Sequence, residues 1–230
     1  MRAEPPPEPS GEIPHSAAMP RAERRWPMAV AVLVTGILHD LLPSGFQLTP
    51  RGSYTFVMLV LLGILVIGDP GRIDRPRKSL HVVTRILIAL IILVNATAAG
   101  RLVAGILRKD SFGGAGSLLL IGAVVWMTNV IAFALWYWDQ DSGGAAQRAT
   151  NPGAVPPAFV FPEMTLPEFV PPGWTPQFAD YLVLSFNTAL AFSPTDVSAV
   201  RTWAKLLMVV ESVISLALAA LVVARAVNIL

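Results

Sequence analysis

From Ser117 to Trp138 the chain carries no charged side chain, and the run closes on Trp136-Tyr137-Trp138. A helix needs about 20 apolar residues to cross bilayer hydrocarbon, and aromatic rings collect at the membrane interface. The closing triplet therefore reads as an interfacial anchor. Four further runs share this character: Trp26–Leu42, Tyr54–Ile67, Leu80–Leu107 and Trp203–Val227. Strong breakers separate the early ones, Pro43-Ser44-Gly45 after the first and Gly68-Asp69-Pro70-Gly71 after the second. A sixth stretch, Phe178–Phe192, is apolar but too short to span comfortably, so a re-entrant helix and a sixth spanning helix both stay open.

Composition supports the same solvent. The chain is 54% hydrophobic and 14% charged, with a mean hydropathy of +0.60. Soluble domains average about 25% charged residues, and disordered chains are poor in apolar residues. The expected fold class is all-α: an integral membrane helical bundle of five transmembrane helices plus a short re-entrant or sixth helix. Four regions follow from the pattern. Residues 1–25 form a polar, Pro-rich tail expected to be disordered. Residues 26–138 form a four-helix membrane region. Residues 139–176 form a strap in which Pro152 to Pro176 alternate with Phe159, Phe161, Phe169 and Trp174, a polyproline-like pattern. Residues 177–230 hold the short segment and the last helix. No small-residue cleavage site follows Leu38, so the first helix is expected to be retained.

Several chemistries are disfavoured. Cysteine is absent, and His15, His39 and His81 stand far apart without ligand spacing, so no metal site and no cofactor is expected. No paired carboxylates or clustered histidines suggest an enzyme. The 17 basic residues, giving a net charge of +2, lie in short segments beside apolar runs rather than on one face, which does not suit nucleic acid. They suit topology control. Arg24 and Arg25 precede the first helix, and Arg72, Arg75, Arg77 and Lys78 fill the loop between the second and third. The positive-inside rule then favours a cytoplasmic N-terminus, in a multi-pass protein of a bacterial inner membrane.

The segment from Ser185 to Asp196, SFNTALAFSPTD, followed by an apolar helix, resembles a potassium-channel pore helix, filter and inner helix. Phe186, Thr188 and Asp196 fall on like residues of that motif. Ser193 and Thr195 stand where the filter glycines would be, and Pro194 where its tyrosine would be. Glycine permits the carbonyl ladder that strips an ion of water, and proline restricts it, so potassium selectivity does not carry over. A longer stretch, roughly 120–230, resembles a family of uncharacterised bacterial membrane proteins, a domain-of-unknown-function group. The resemblance rests on Phe133-Ala134-Leu135-Trp136-Tyr137, Phe161-Pro162, Asp180-Tyr181-Leu182 through Asp196, and Ala226-Val227-Asn228. The channel analogy meets a conflict in topology, because an N-in chain with four helices returns to the cytoplasm before Phe178. The segment enters from the cytoplasm, or it spans, or the chain is N-out.

Charges at membrane depth are the remaining clue. Glu211 lies inside the last helix, where an ionised carboxylate costs at least roughly 2.5–3.5 kcal/mol, so a partner or a water-lined face is expected. Arg85, Arg101 and Lys205 are candidate partners, and Ser215 shares its face. The site reads either as a proton or ion relay beside a pore or as a structural ion pair. Arg85 and Arg101 lie near the two ends of their helix and are expected to snorkel. Thr188, Ser193, Thr195 and Asp196 are candidates for a polar vestibule, with capping of the following helix as the other role for Asp196. Asn95 and Asn129 suit interhelical hydrogen bonding. The expected function is a channel-like or small-solute conduit without a potassium filter. The alternative is a non-conducting scaffold that binds a partner or lipid. The expected partners are the lipid bilayer and, for a pore, further copies of the chain as a homo-oligomer.

Overall fold

A computed structural model of the chain describes residues 22–73, 77–190 and 196–229. Most of the Pro-rich tail, together with Ser193 and Thr195, lies outside the described residues. The protein is mostly helical. In order come α1 (Trp26–Leu41), α2 (Ser53–Gly68), α3 (Lys78–Arg108), α4 (Ala115–Gln140), the short α5 (Ala145–Thr150) and α6 (Pro162–Thr165), then α7 (Phe178–Leu190) and α8 (Thr202–Val227). Two small ribbons join distant parts. β1 (Glu23–Arg24) pairs antiparallel with β2 (Arg72–Ile73), and β3 (Phe159–Val160) with β4 (Ser198–Ala199).

Local chemistry sets the boundaries. Pro27 occupies the first turn of α1, where its missing N–H costs nothing. The extended Leu42 before Pro43 ends that helix. α3 closes when Lys109 turns left-handed (φ 60°) and its N–H returns to the carbonyls of Gly105 and Ile106. Three stretches are long and apolar enough to cross a membrane: α3, the 115–150 stretch whose straight part is α4, and α8. α1 and α2 are apolar but only 16 residues each.

α4 is the central post. It packs against α1, α3, α7 and α8, and Val130, Ala134, Leu135 and Tyr137 on it are wholly buried. A helix apolar on all sides belongs at such a position. α8 runs antiparallel beside it: Tyr137 meets Glu211, Asn129 meets Ser215, and Gly122 meets Val222 in turn. A Cβ on Gly122 would stand 2.7 Å from Val222 Cγ1, so only glycine admits this approach. α3 is also antiparallel to α4, with Asn95 at Asn129 and Arg85 at Asp139.

The path of α7 follows from the same levels. Its first residue, Phe178, lies against Trp138 at the C-terminal end of α4, with ring centroids 6.2 Å apart. Farther along, Phe186 reaches Trp126. The chain then returns, because β4 pairs with β3 and Trp203 at the start of α8 packs on Phe159, 6.1 Å away. Thus α7 and α8 both begin at the C-terminal end of α4.

Three expectations need correction. Glu23, Arg24 and Arg25 belong to the fold rather than to a loose tail, since β1 is paired and Arg25 Nη2 lies 2.9 Å from Asp69 Oδ2. The strap is not uniformly extended. Gly144 (φ 91°) opens α5, and Pro162 and Pro167 start a short helix and a 3₁₀ turn, positions that suit proline. The Trp136-Tyr137-Trp138 anchor faces inward, with Tyr137 0% and Trp138 3% exposed, because the return of α7 and the strap cover it.

Candidate functional site

Two buried polar clusters lie in succession along α4. The first, at its C-terminal end, collects residues from four separate parts of the chain. Asp141 follows α4. Its Oδ1 accepts from the amides of Ala158 (2.6 Å) and Phe159 (3.4 Å), and its Oδ2 accepts from the Tyr181 hydroxyl at 2.6 Å. Arg148 on α5 donates to the carbonyls of Trp138 (3.0 Å) and Asp141 (2.8 Å) and lies over the Tyr181 ring. Glu23 completes the cluster. It accepts from the Trp138 indole at 2.8 Å and from the Phe178 amide at 2.5 Å, and its carboxylate stands 3.6 Å from Arg148 Nη2. Burial pushes the Glu23 carboxyl above its ordinary value, against the opposing pull of Arg148, the indole and the amide.

The second cluster centres on Glu211 of α8, which is 0% exposed. The Tyr137 hydroxyl donates to Oε2 at 2.5 Å, and Ser185 Oγ bonds Oε1. Among the described residues no cation pairs with it. Arg85 reaches Asp139 instead (Nε to Oδ2, 3.4 Å), and Arg101 donates to the carbonyls of Gly45 and Gln47 at the far end of α3. The partners of Glu211 are therefore hydroxyls, not the cations expected. The physical reason is depth: the arginines stay near the ends of α3, where their heads find carbonyls and exposed surface.

The Ser185 hydroxyl has one proton and two acceptors in reach, the Val130 carbonyl at 2.7 Å and Glu211 Oε1. Both contacts are satisfied at once when Glu211 carries a proton of its own and donates it to Ser185. Beyond Glu211 the polar line continues through Ser215, whose hydroxyl accepts from Asn129 Nδ2 at 3.1 Å, and Asn129 Oδ1 accepts from Asn95 at 3.3 Å. From Asn129 to Asp141 the polar groups along α4 cover about 18 Å of helix.

Of the other residues singled out from the sequence, Thr188 is buried one turn beyond Ser185. Its hydroxyl donates to the Leu184 carbonyl at 2.8 Å, and its own carbonyl accepts from Ser212. Asp196 is exposed and does not cap α8, which begins at Thr202 after Arg201. Sequence reasoning missed Tyr137, Ser185, Asp141, Arg148, Tyr181 and Glu23 as site residues. Only Tyr137 carried a signal, its place on the α4 face two turns from Asn129.

These features define a mostly helical protein with three helices apolar enough to cross a membrane and a buried carboxyl held by hydroxyls. No protein-family model, curated protein or solved structure matches the chain.

Proposed function

We propose that the chain is a conduit for protons or a small monovalent cation, in which Glu211 is the exchanging group. The observation that carries the reading is the Glu211 site itself, a wholly buried carboxyl whose described partners are the two hydroxyls of Tyr137 and Ser185. An ionisable group at this depth is costly to keep, and hydroxyls both donate and accept, so they pass a proton in either direction. In this reading the chain crosses the membrane five times, α1 and α2 joining α3, α4 and α8. Each short helix spans about 24 Å, and their outward residues, among them Ile37, Phe56 and Ile67, are apolar. α7 enters from the side of the N-terminus and turns back. The positions of Arg24, Arg25, Arg77, Lys78 and Arg148 at that end support placing it in the cytoplasm.

Flux tests the proposal. Purified protein in liposomes is expected to dissipate a proton or monovalent-cation gradient, and Glu211→Gln to suppress that flux. Absence of flux for every ion tried would sink it. Single cysteines test the path of α7. A cysteine at Ser198 labels from the same side as one at Ser79 or Ser142 if the segment is re-entrant, and from the side of Ser111 if it spans.

One observation favours the alternative, a non-conducting scaffold. Glu211, Ser185 and Ser215 are each 0% exposed, so the polar line is closed to water in this conformation.

A further inference from the structure

A cavity of about 290 Å³ lies between the α2–α3 connection and the turn after α4. Arg25, Asp69, Arg77, Lys78, His81 and Gln147 form its polar wall, and Ile73, Leu80, Trp138 and Ala145 its apolar wall. The charges of its described lining do not cancel. Arg25 and Asp69 neutralise one another at 2.9 Å, and His81 faces Asp139 at 3.6 Å. Arg77 gives one hydrogen bond to the Gly68 carbonyl, at 3.2 Å. Arg77 and Lys78 have no carboxylate partner among the described residues, and both are exposed.

We propose that this cavity binds a phosphate-bearing anion, with Arg77 and Lys78 as its charge partners. Two cations with no carboxylate partner among the described residues call for more than one carboxylate can neutralise, whereas a phosphate group offers several acceptor oxygens to a guanidinium and an ammonium together. The Gln147 amide supplies a neutral donor on the same wall. The apolar wall suits the glycerol or first methylenes of an esterified phosphate. Placement agrees with this chemistry, since the cavity sits at the end that carries the positive loops, and basic pockets between helices at a cytoplasmic face select anionic head groups. Two sources share the chemistry: the head group of an anionic lipid and a soluble phosphate ester.

The full chain in phosphatidylcholine nanodiscs is the reference state for the test. One arm replaces part of the lipid with phosphatidylglycerol. The other titrates glycerol 3-phosphate into the phosphatidylcholine discs. Binding is read as a rise in the thermal unfolding midpoint and as ligand retained in native mass spectrometry. At least one arm is expected to bind, and Arg77→Gln with Lys78→Gln to weaken it about 5-fold for each charge removed. Arg51→Gln with Arg108→Gln, at the opposite end, is expected to leave it unchanged. Binding in the first arm alone assigns the lipid, and binding in the second assigns the soluble ester. Should loss of the Arg77 bond to Gly68 unfold the double variant, Lys78→Gln alone carries the test with a loss of about 5-fold. The proposal is overturned if neither arm binds, if the variants at Arg77 and Lys78 bind like the parent, or if the control pair loses as much.

Discussion

Two of the places where the chain buries carboxyls lie one turn apart along α4 and are furnished in opposite ways. Asp141 and Glu23 receive backbone amides, an indole and a phenol, and Arg148 joins the Glu23 carboxylate to the main-chain carbonyls of Trp138 and Asp141 at the end of α4. Glu211 has two hydroxyls. Amide, indole and guanidinium N–H groups only donate, so they hold a carboxyl in a fixed direction and cannot take its proton. Hydroxyls also accept, so a carboxyl held by them can keep a proton and donate it, or release it at the cost of one of the two contacts at Ser185. The first arrangement ties together four distant pieces of chain, and the second leaves chemistry available.

The sharpest way to break this contrast is to remove the cation. Arg148→Met leaves Glu23 buried without a charge partner and takes one donor from each of the Trp138 and Asp141 carbonyls, a change that costs about 3–5 kcal/mol. Chemical or thermal unfolding of the solubilised protein measures it, and a loss below about 1 kcal/mol would mean that the first cluster is not a lock. Tyr181→Phe is milder. It takes one hydrogen bond from Asp141 and keeps the ring under Arg148, so about 1.5–3 kcal/mol is expected in the same assay.

Glu23 gives the contrast a pH dependence. Its carboxyl is raised by burial above the ordinary 4.5, so the folded state binds the proton more tightly than the unfolded state does. The associated stability is fully present below about pH 4.5 and declines as pH rises through the folded value. Glu23→Gln removes this component. The difference between the unfolding midpoints of parent and variant, compared from acid to neutral pH, is expected to move in favour of the variant as pH rises, on top of a constant cost from setting the glutamine NH2 against the Trp138 or Phe178 N–H. A parallel offset at every pH would show that Glu23 does not titrate in the fold.

The two regions also differ in how far the sequence disclosed them. The helices around Glu211 were readable: Leu80–Leu107 became Lys78–Arg108, and Trp203–Val227 became Thr202–Val227. Hydrocarbon fixes both the length and the polarity of a span, so this information is local. Glu211 itself stood out because a charge at that depth is rare. Its partners did not, since Tyr137 lies 74 positions away and looked like part of an aromatic belt. The first cluster was hidden altogether. Glu23 reaches Trp138 across 115 positions, from within a segment whose composition reads as a polar tail, and Arg148 sits in a Pro-rich strap. Nothing in local pattern distinguishes a charged residue that will be buried by long-range packing from one that will be solvated.

The smallest effect on stability is expected where the effect on transport is largest. Glutamine at position 211 reproduces the protonated carboxyl almost atom for atom. Its carbonyl accepts from Tyr137, and its amide donates to Ser185, which keeps its own proton for the Val130 carbonyl. No buried group loses a partner, so Glu211→Gln is expected to change the unfolding free energy by less than about 1 kcal/mol. Glu211→Ala strands Tyr137 and Ser185 and opens a void, and is expected to cost about 2–4 kcal/mol. If the glutamine variant proved as unstable as Arg148→Met, Glu211 would be a structural tie like the carboxyls of the first cluster. The contrast between a locked site and an exchanging one would then be lost, and with it the reason to assign the proton pathway to this carboxyl.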